Sequence, residues 1–242
     1  MALPTNINRI LNTDIVEGAR VEFKEGWNPD SILHTICAFA NDIDNFYGGY
    51  IVIGLSDQGE VKGFNRKQFD GLQKELFQYC KKCIEPSYIP VVDIVKYLDN
   101  DVVVIWCPAG ETKPYKCYEN VYSDKKSTKL VTYIRKGSLT VVASREDENE
   151  LYNLSNFTPY DDRVNYNSKI DSLNKNLIKE YLQNTDSNLL KNFDEQPLEE
   201  TLQDLKIVGG PKEDLRPKNV ALLMFTTKPH DYIPYSYIEL SI

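Results

Sequence analysis

The alternation of apolar and polar residues divides the chain into recognisable elements. Ile32, Ile36, Phe39 and Ile43 fall at i, i+4, i+7 and i+11, the spacing of one apolar helical face. Asn28 suits the N-cap of that helix and Pro29 its first turn, so the pattern predicts a helix over 28–44. Gly48-Gly49 is expected to break the chain before Tyr50 to Leu55, an apolar run suited to a strand buried on both faces. Asp57, Gln58 and Gly59 supply turn chemistry, and Val61 to Gly63 begins a return strand. Ahead of this, Arg20 to Lys24 alternates, with Val21 and Phe23 on one side and Glu22 and Lys24 on the other.

A second helix is predicted over Arg66 to Glu85 and closed by Pro86. Val91 to Leu98 and Asp101 to Cys107 read as a hairpin turned at Asp99-Asn100. Lys129 to Arg135 and Leu139 to Val142 form another pair. Ser144 as N-cap with Asp147 three residues later predicts a helix to Leu154. Helices alternating with hairpins indicate an α+β fold with a mixed β-sheet and flanking helices.

Around 156–162 the composition turns polar, which divides the chain into 1–155 and a smaller α+β region, 156–242. In the latter, Ile170, Leu173, Leu177, Ile178 and Leu182 form a helical stripe, Leu198 to Ile207 a further helix, and Val220 to Phe225 a strand.

The residues Glu22-Phe23-Lys24, Ala38 to Asn41 (A-F-A-N), Gly48-Gly49, Ile53 to Asp57 and Tyr133 to Ser138 occur in the order found in one known family. The chain resembles the Schlafen/AlbA-type DNA-binding domain over roughly Asp14 to Leu154. It departs from that family at Asp42 to Tyr47, where many members have one or two residues. The region after 156 is similar to a segment of RecG-related and HTH transcriptional-regulator proteins, in which a strand follows a short helical part. Such proteins usually continue into a winged helix, so the resemblance implies either a truncated chain or a short member.

The formal net charge of −8 argues against a protein that coats nucleic acid by bulk electrostatics. Locally the balance reverses. Between Thr112 and Arg145 eight basic residues face two acidic ones, a difference of +6. The resemblance makes Lys113, Lys116, Lys125, Lys126, Arg135 and Lys136 the expected phosphate contacts, with DNA favoured over RNA in a regulatory role. Tyr115, Tyr118, Tyr122 and Tyr133, interleaved with these cations, suit either base stacking or cross-strand packing.

The alternative reading is enzymatic. An acid and a lysine on one strand face, with further carboxylates nearby, are what metal-dependent nucleases use. The resemblance to Schlafen ribonucleases implies Glu17, Glu22 and Asp57 as ligands for Mg²⁺ or Mn²⁺, with Lys24 as electrostatic partner. A third reading is an assembly module whose basic segment is solvated surface. It would be told apart by a stable homo-oligomer without nucleic-acid affinity.

ATP is not expected, because there is no G-x-x-x-x-G-K-S/T and Gly48-Gly49 precedes a strand rather than a helix. Five cysteines without a secretion signal imply reduced thiols and a cytoplasmic location. Cys80-x-x-Cys83 lacks a second ligand pair for zinc, so buried helix cysteines account for it better. The longest apolar runs are too short to span a bilayer, and no membrane association is expected.

Overall fold

The computed structural model describes Leu3 and residues 18–123, 127–156, 159–211 and 213–236. The chain divides into two compact units, Met1–Phe157 and Thr158–Ile242. Among the described residues, no helix is long and apolar enough to cross a membrane.

The first unit holds two four-stranded sheets. One runs in the order β1 (Val21–Lys24), β2 (Gly48–Ile53), β5 (Asn100–Pro108), β4 (Val91–Tyr97). Its β1–β2 pair is parallel and the others antiparallel, so the sheet is mixed, as the sequence pattern predicts. The other sheet runs β3 (Ile84–Glu85), β6 (Lys116–Tyr118), β7 (Leu130–Lys136), β8 (Leu139–Val142), antiparallel throughout.

Helix α1 (Pro29–Asn41) packs against strands of both sheets. Its residues Ile32, Leu33, Ile36 and Phe39 share a core with Ile51, Ile53 and Ile105 of one sheet and Cys117 and Tyr133 of the other. A helix covered on two sides must be apolar around most of its girth, and ten of its residues are buried. Asn28 caps its start, its Oδ1 accepting from Ser31 N at 3.4 Å. The predicted helix runs too far, because Asp42 adopts a left-handed conformation (φ 38) that ends it.

Gly48-Gly49 does not break the chain; it opens β2 and pairs with Pro108 and Cys107. The reason for glycine here is space. A Cβ on Gly49 would lie 2.3 Å from the Phe39 ring, and one on Gly48 2.0 Å from the Cys107 carbonyl oxygen. The β4–β5 turn sits one residue earlier than predicted, at Leu98 and Asp99, both with positive φ, the geometry that hairpin twist demands.

Helix α2 (Phe69–Cys83) buries Leu72, Leu76, Cys80 and Cys83, and a short 3-10 turn, Arg66–Gln68, precedes it. Helix α3 (Arg145–Asn156) begins with a reciprocal capping box. Asp147 N donates to Ser144 Oγ at 3.1 Å, and Ser144 N donates to Asp147 Oδ2 at 2.9 Å.

The second unit has its own core of Ile178, Leu182, Phe193, Leu202, Leu222 and Phe225. It contains α4 (Lys175–Asn184), α5 (Leu198–Asp204), a small β9–β10 pair (Val208–Gly209, Arg216–Pro217) and α6 (Asn219–Phe225). The run predicted as a strand, Val220 to Phe225, is therefore helical. Asn219, Ala221, Leu222 and Phe225 turn inward while Leu223 and Met224 face solvent. A continuous apolar run of six residues does not distinguish the two periods.

Candidate nucleic-acid interface

The family motifs converge where β1, α1 and β7 meet. Asn41, the last residue of A-F-A-N, is fully buried. Its Nδ2 donates to the carbonyls of Tyr115 (2.9 Å) and Tyr133 (2.8 Å), and its Oδ1 accepts from Tyr115 N (2.7 Å). One side chain thus ties the end of α1 to the entry of β6 and to β7. Buried backbone groups that have left their ladders need such partners.

Arg135 lies beside this clamp and is only 5% exposed. Its Nη1 donates to Glu22 Oε2 at 2.7 Å and to Thr140 Oγ1 at 3.0 Å, and its Nη2 to the Gly18 carbonyl at 2.9 Å. The guanidinium carbon stands 5.2 Å from the centre of the Phe39 ring. Lys24 Nζ takes the other oxygen of Glu22 at 2.6 Å. Both oxygens of Glu22 are therefore occupied by cations, and the pair joins β1 of one sheet to β7 of the other.

This placement revises the expected phosphate contacts. Arg135 does not offer its guanidinium to the surface, because β7 turns it inward onto Glu22. Lys113 is half-buried, donates to the Asp42 carbonyl at 3.1 Å, and has its pKa lowered by desolvation. Lys116 pairs with Glu148 at 3.3 Å and Lys136 with Asp147 at 3.0 Å. Three acids from elsewhere in the fold, Glu22, Glu148 and Asp147, thus sit on a segment whose own balance is +6, leaving +3. Lys129 and Arg145 face solvent, and Lys136 is also exposed despite its partner. Lys125 and Lys126 lie outside the described residues.

The tyrosines mostly belong to the core. Tyr115, Tyr118 and Tyr133 are buried, and Tyr133 stacks on His34 with ring centres 4.1 Å apart. Desolvation raises the Tyr133 pKa to about 12. Tyr122 is exposed and meets Tyr79 edge-on.

Among the described residues no group of three metal-ligating side chains occurs. Asp57 is exposed in the turn after β2, Glu17 lies outside the described residues, and Glu22 is paired with both Lys24 and Arg135. Two cations already neutralise the Glu22 carboxylate, which weakens its attraction for a divalent ion although each oxygen keeps a second lone pair. The cysteines Cys37, Cys80, Cys83, Cys107 and Cys117 are free and buried. Burial pushes the thiols of Cys37 and Cys80 up to about 12, which makes them packing groups rather than nucleophiles.

The sequence did not single out Arg20 or Phe46. These two line a crevice of about 310 Å³ with Gly18, Ala19 and Val21. The signal was an aromatic residue inside a polar insertion, at Phe46, together with a cation at the entry to β1.

The family profile described as Schlafen, AlbA_2 matches residues 17–144, more than half of the chain. The chain belongs to the Schlafen AlbA_2 family. The glycine pair and the A-F-A-N asparagine of this family member are thereby explained as packing and clamping devices. A crystal structure of a protein from Corynebacterium diphtheriae is similar at 19% identity and a TM-score of 0.43, over 91% of this chain. The chain spans 39% of the length of that protein. The solution structure of the N-terminal domain of a RecG-related protein from Nitrosomonas europaea is similar at 24% identity and a TM-score of 0.34. That likeness covers 45% of this chain and 74% of the other. No curated protein matches the chain.

Proposed function

We propose that this family member binds nucleic acid, DNA in preference to RNA, and serves as a transcriptional regulator. The observation that supports the reading is the match over 17–144 to a family whose resemblance implies DNA binding. The solvent-facing cations Lys129, Lys136 and Arg145, on β7 and around its neighbours, are the candidate phosphate contacts among the described residues. They act on the backbone and not on base edges, so they position the strand without reading it.

About three neutralised phosphates give a slope of log affinity against log salt near −2.7, which is roughly a 40-fold loss between 50 and 200 mM salt. Fluorescence anisotropy of labelled duplex DNA and RNA across that range tests it. An affinity that does not move with salt would sink the reading.

The endoribonuclease reading centred on Glu17, Glu22 and Asp57 has less support. An ion at Glu22 would stand beside two cations, Lys24 and Arg135, that already neutralise the carboxylate, and their repulsion disfavours it. Incubation of structured RNA with protein and Mn²⁺, beside Glu22→Gln, separates the two. The expected result is intact RNA in both lanes, and cleavage by the unaltered chain alone would reinstate the enzyme.

A further inference from the structure

A crevice lies beside β1. One wall is the chain entering β1, Gly18 to Val21, and the other is Phe46 from the 42–47 loop. That loop is held in shape by Asp42, whose Oδ1 accepts from Phe46 N and Oδ2 from Tyr47 N, each at 2.9 Å. Left-handed Asn45 and Tyr47 flank Phe46 (φ 56 and 66), and the Phe46 side chain is 44% exposed. An aromatic ring is thus kept in solvent by a fixed backbone, where it would otherwise fold onto the core.

The opposite wall is small. A Cβ placed on Gly18 would meet nothing within 4 Å. Arg20 lies at the same wall, its Nε directed to the Gly48 carbonyl at 3.4 Å and its guanidinium carbon 5.8 Å from the Tyr50 ring centre. Further in, Ala19 and Phe46 also border Phe39, Asp42, Asp44 and Arg135.

We infer that this crevice holds one unpaired nucleobase, stacked on Phe46, with the adjoining phosphate on the Arg20 side. A volume of about 310 Å³ lies at the lower end of small-ligand sites, roughly 300–1,000 Å³. It suits one base and not a duplex. In a duplex the π-faces are already stacked, whereas an unpaired base offers a face to an aromatic side chain. Asp42 is committed to the loop amides, and Asp44 borders only the inner end, so the phosphate is directed outward. The ring and loop are pre-formed, which spares the ordering cost of binding.

The inference rests on the nucleic-acid-binding reading and adds a preference for unpaired nucleotides. The test uses the whole chain and hairpins with 2-aminopurine in the loop, against duplexes with 2-aminopurine internally paired, each as DNA and as RNA. Wild type is expected to quench the loop probe and leave the paired probe unchanged.

Phe46→Ala and Gly18→Leu should each weaken the loop probe by about tenfold with duplex affinity unaltered, and Phe46→Trp should retain it. Loop and duplex affinities falling together, or neither changing, would overturn the crevice while leaving nucleic-acid binding intact. Wild type binding no probe at 50 mM salt would overturn both readings.

Discussion

Arg135 and Lys136 are neighbours on β7, and each pairs with one carboxylate, Glu22 and Asp147 respectively. Successive residues of a strand leave opposite faces, so the first is sealed between the sheets and the second stands in water, 53% exposed. The ionic contacts are alike in length, 2.7 and 3.0 Å; what differs is the medium. Inside, removing one partner strands a charge that cannot be resolvated. Outside, water replaces the partner at little cost. Two residues that look equivalent as cations in a basic run thus stand in different settings, one holding the sheets together and one in water beside Asp147.

The sharpest way to break this contrast is to truncate the inner pair. Glu22→Ala should cost about 3–5 kcal/mol, because Arg135 is left buried without its counter-charge. Urea unfolding measures it, and a loss below about 1 kcal/mol would place Arg135 in solvent. Next comes a neutral counterpart at the same junction. Asn41→Ala takes a partner from the Tyr115 amide and from the Tyr133 carbonyl and leaves the Tyr115 carbonyl with the weak Cys37 thiol donor at 3.3 Å; it is expected to cost about 2–4 kcal/mol, also by urea unfolding. A loss comparable to that of Glu22→Ala would show that unsatisfied polarity governs the inner site more than charge itself.

Lys136→Ala should change stability by less than about 1 kcal/mol. In a salt titration of DNA binding it should make the slope shallower by about 0.9. An unchanged slope would remove Lys136 from the interface.

The smallest effect lies in acid titration. The Asp147 carboxylate accepts from the Ser144 backbone amide and then from Lys136, which holds its pKa below the ordinary 3.8. A depressed pKa in the folded state contributes stability that is present above the unfolded value and is lost as pH falls through the folded one. Asp147→Asn should therefore flatten the stability profile below about pH 4 and leave it unchanged in shape at neutral pH.

The local rules were the legible part of this chain. The Asn28 and Ser144 caps, the alternation of β1 and the buried run of β2 follow from side-chain chemistry within a few residues of each other. What could not be read is anything set by distant partners. Arg135 meets Glu22 across 113 positions, so a sequence window sees a cation among cations.

The Val220 to Phe225 run failed for a different reason. Its helical period appears only when Asn219 is counted among the inward residues and Leu223 and Met224 among the outward ones. The glycine pair was misjudged as punctuation, because the Phe39 ring that forbids a Cβ at Gly49 lies ten residues away and on another element.

Asp42 closes α1 with its left-handed backbone and frames the following loop with its carboxylate, while the clamp at Asn41 is completed one residue earlier. One residue further on, Ile43 still belongs to the core, buried with Ile134 of β7 and Leu151 of α3. Residues 44–47 are then a replaceable cassette: on the nucleobase reading their chemistry can be altered, and the specificity of the crevice with it, without disturbing the core that Ile43 joins.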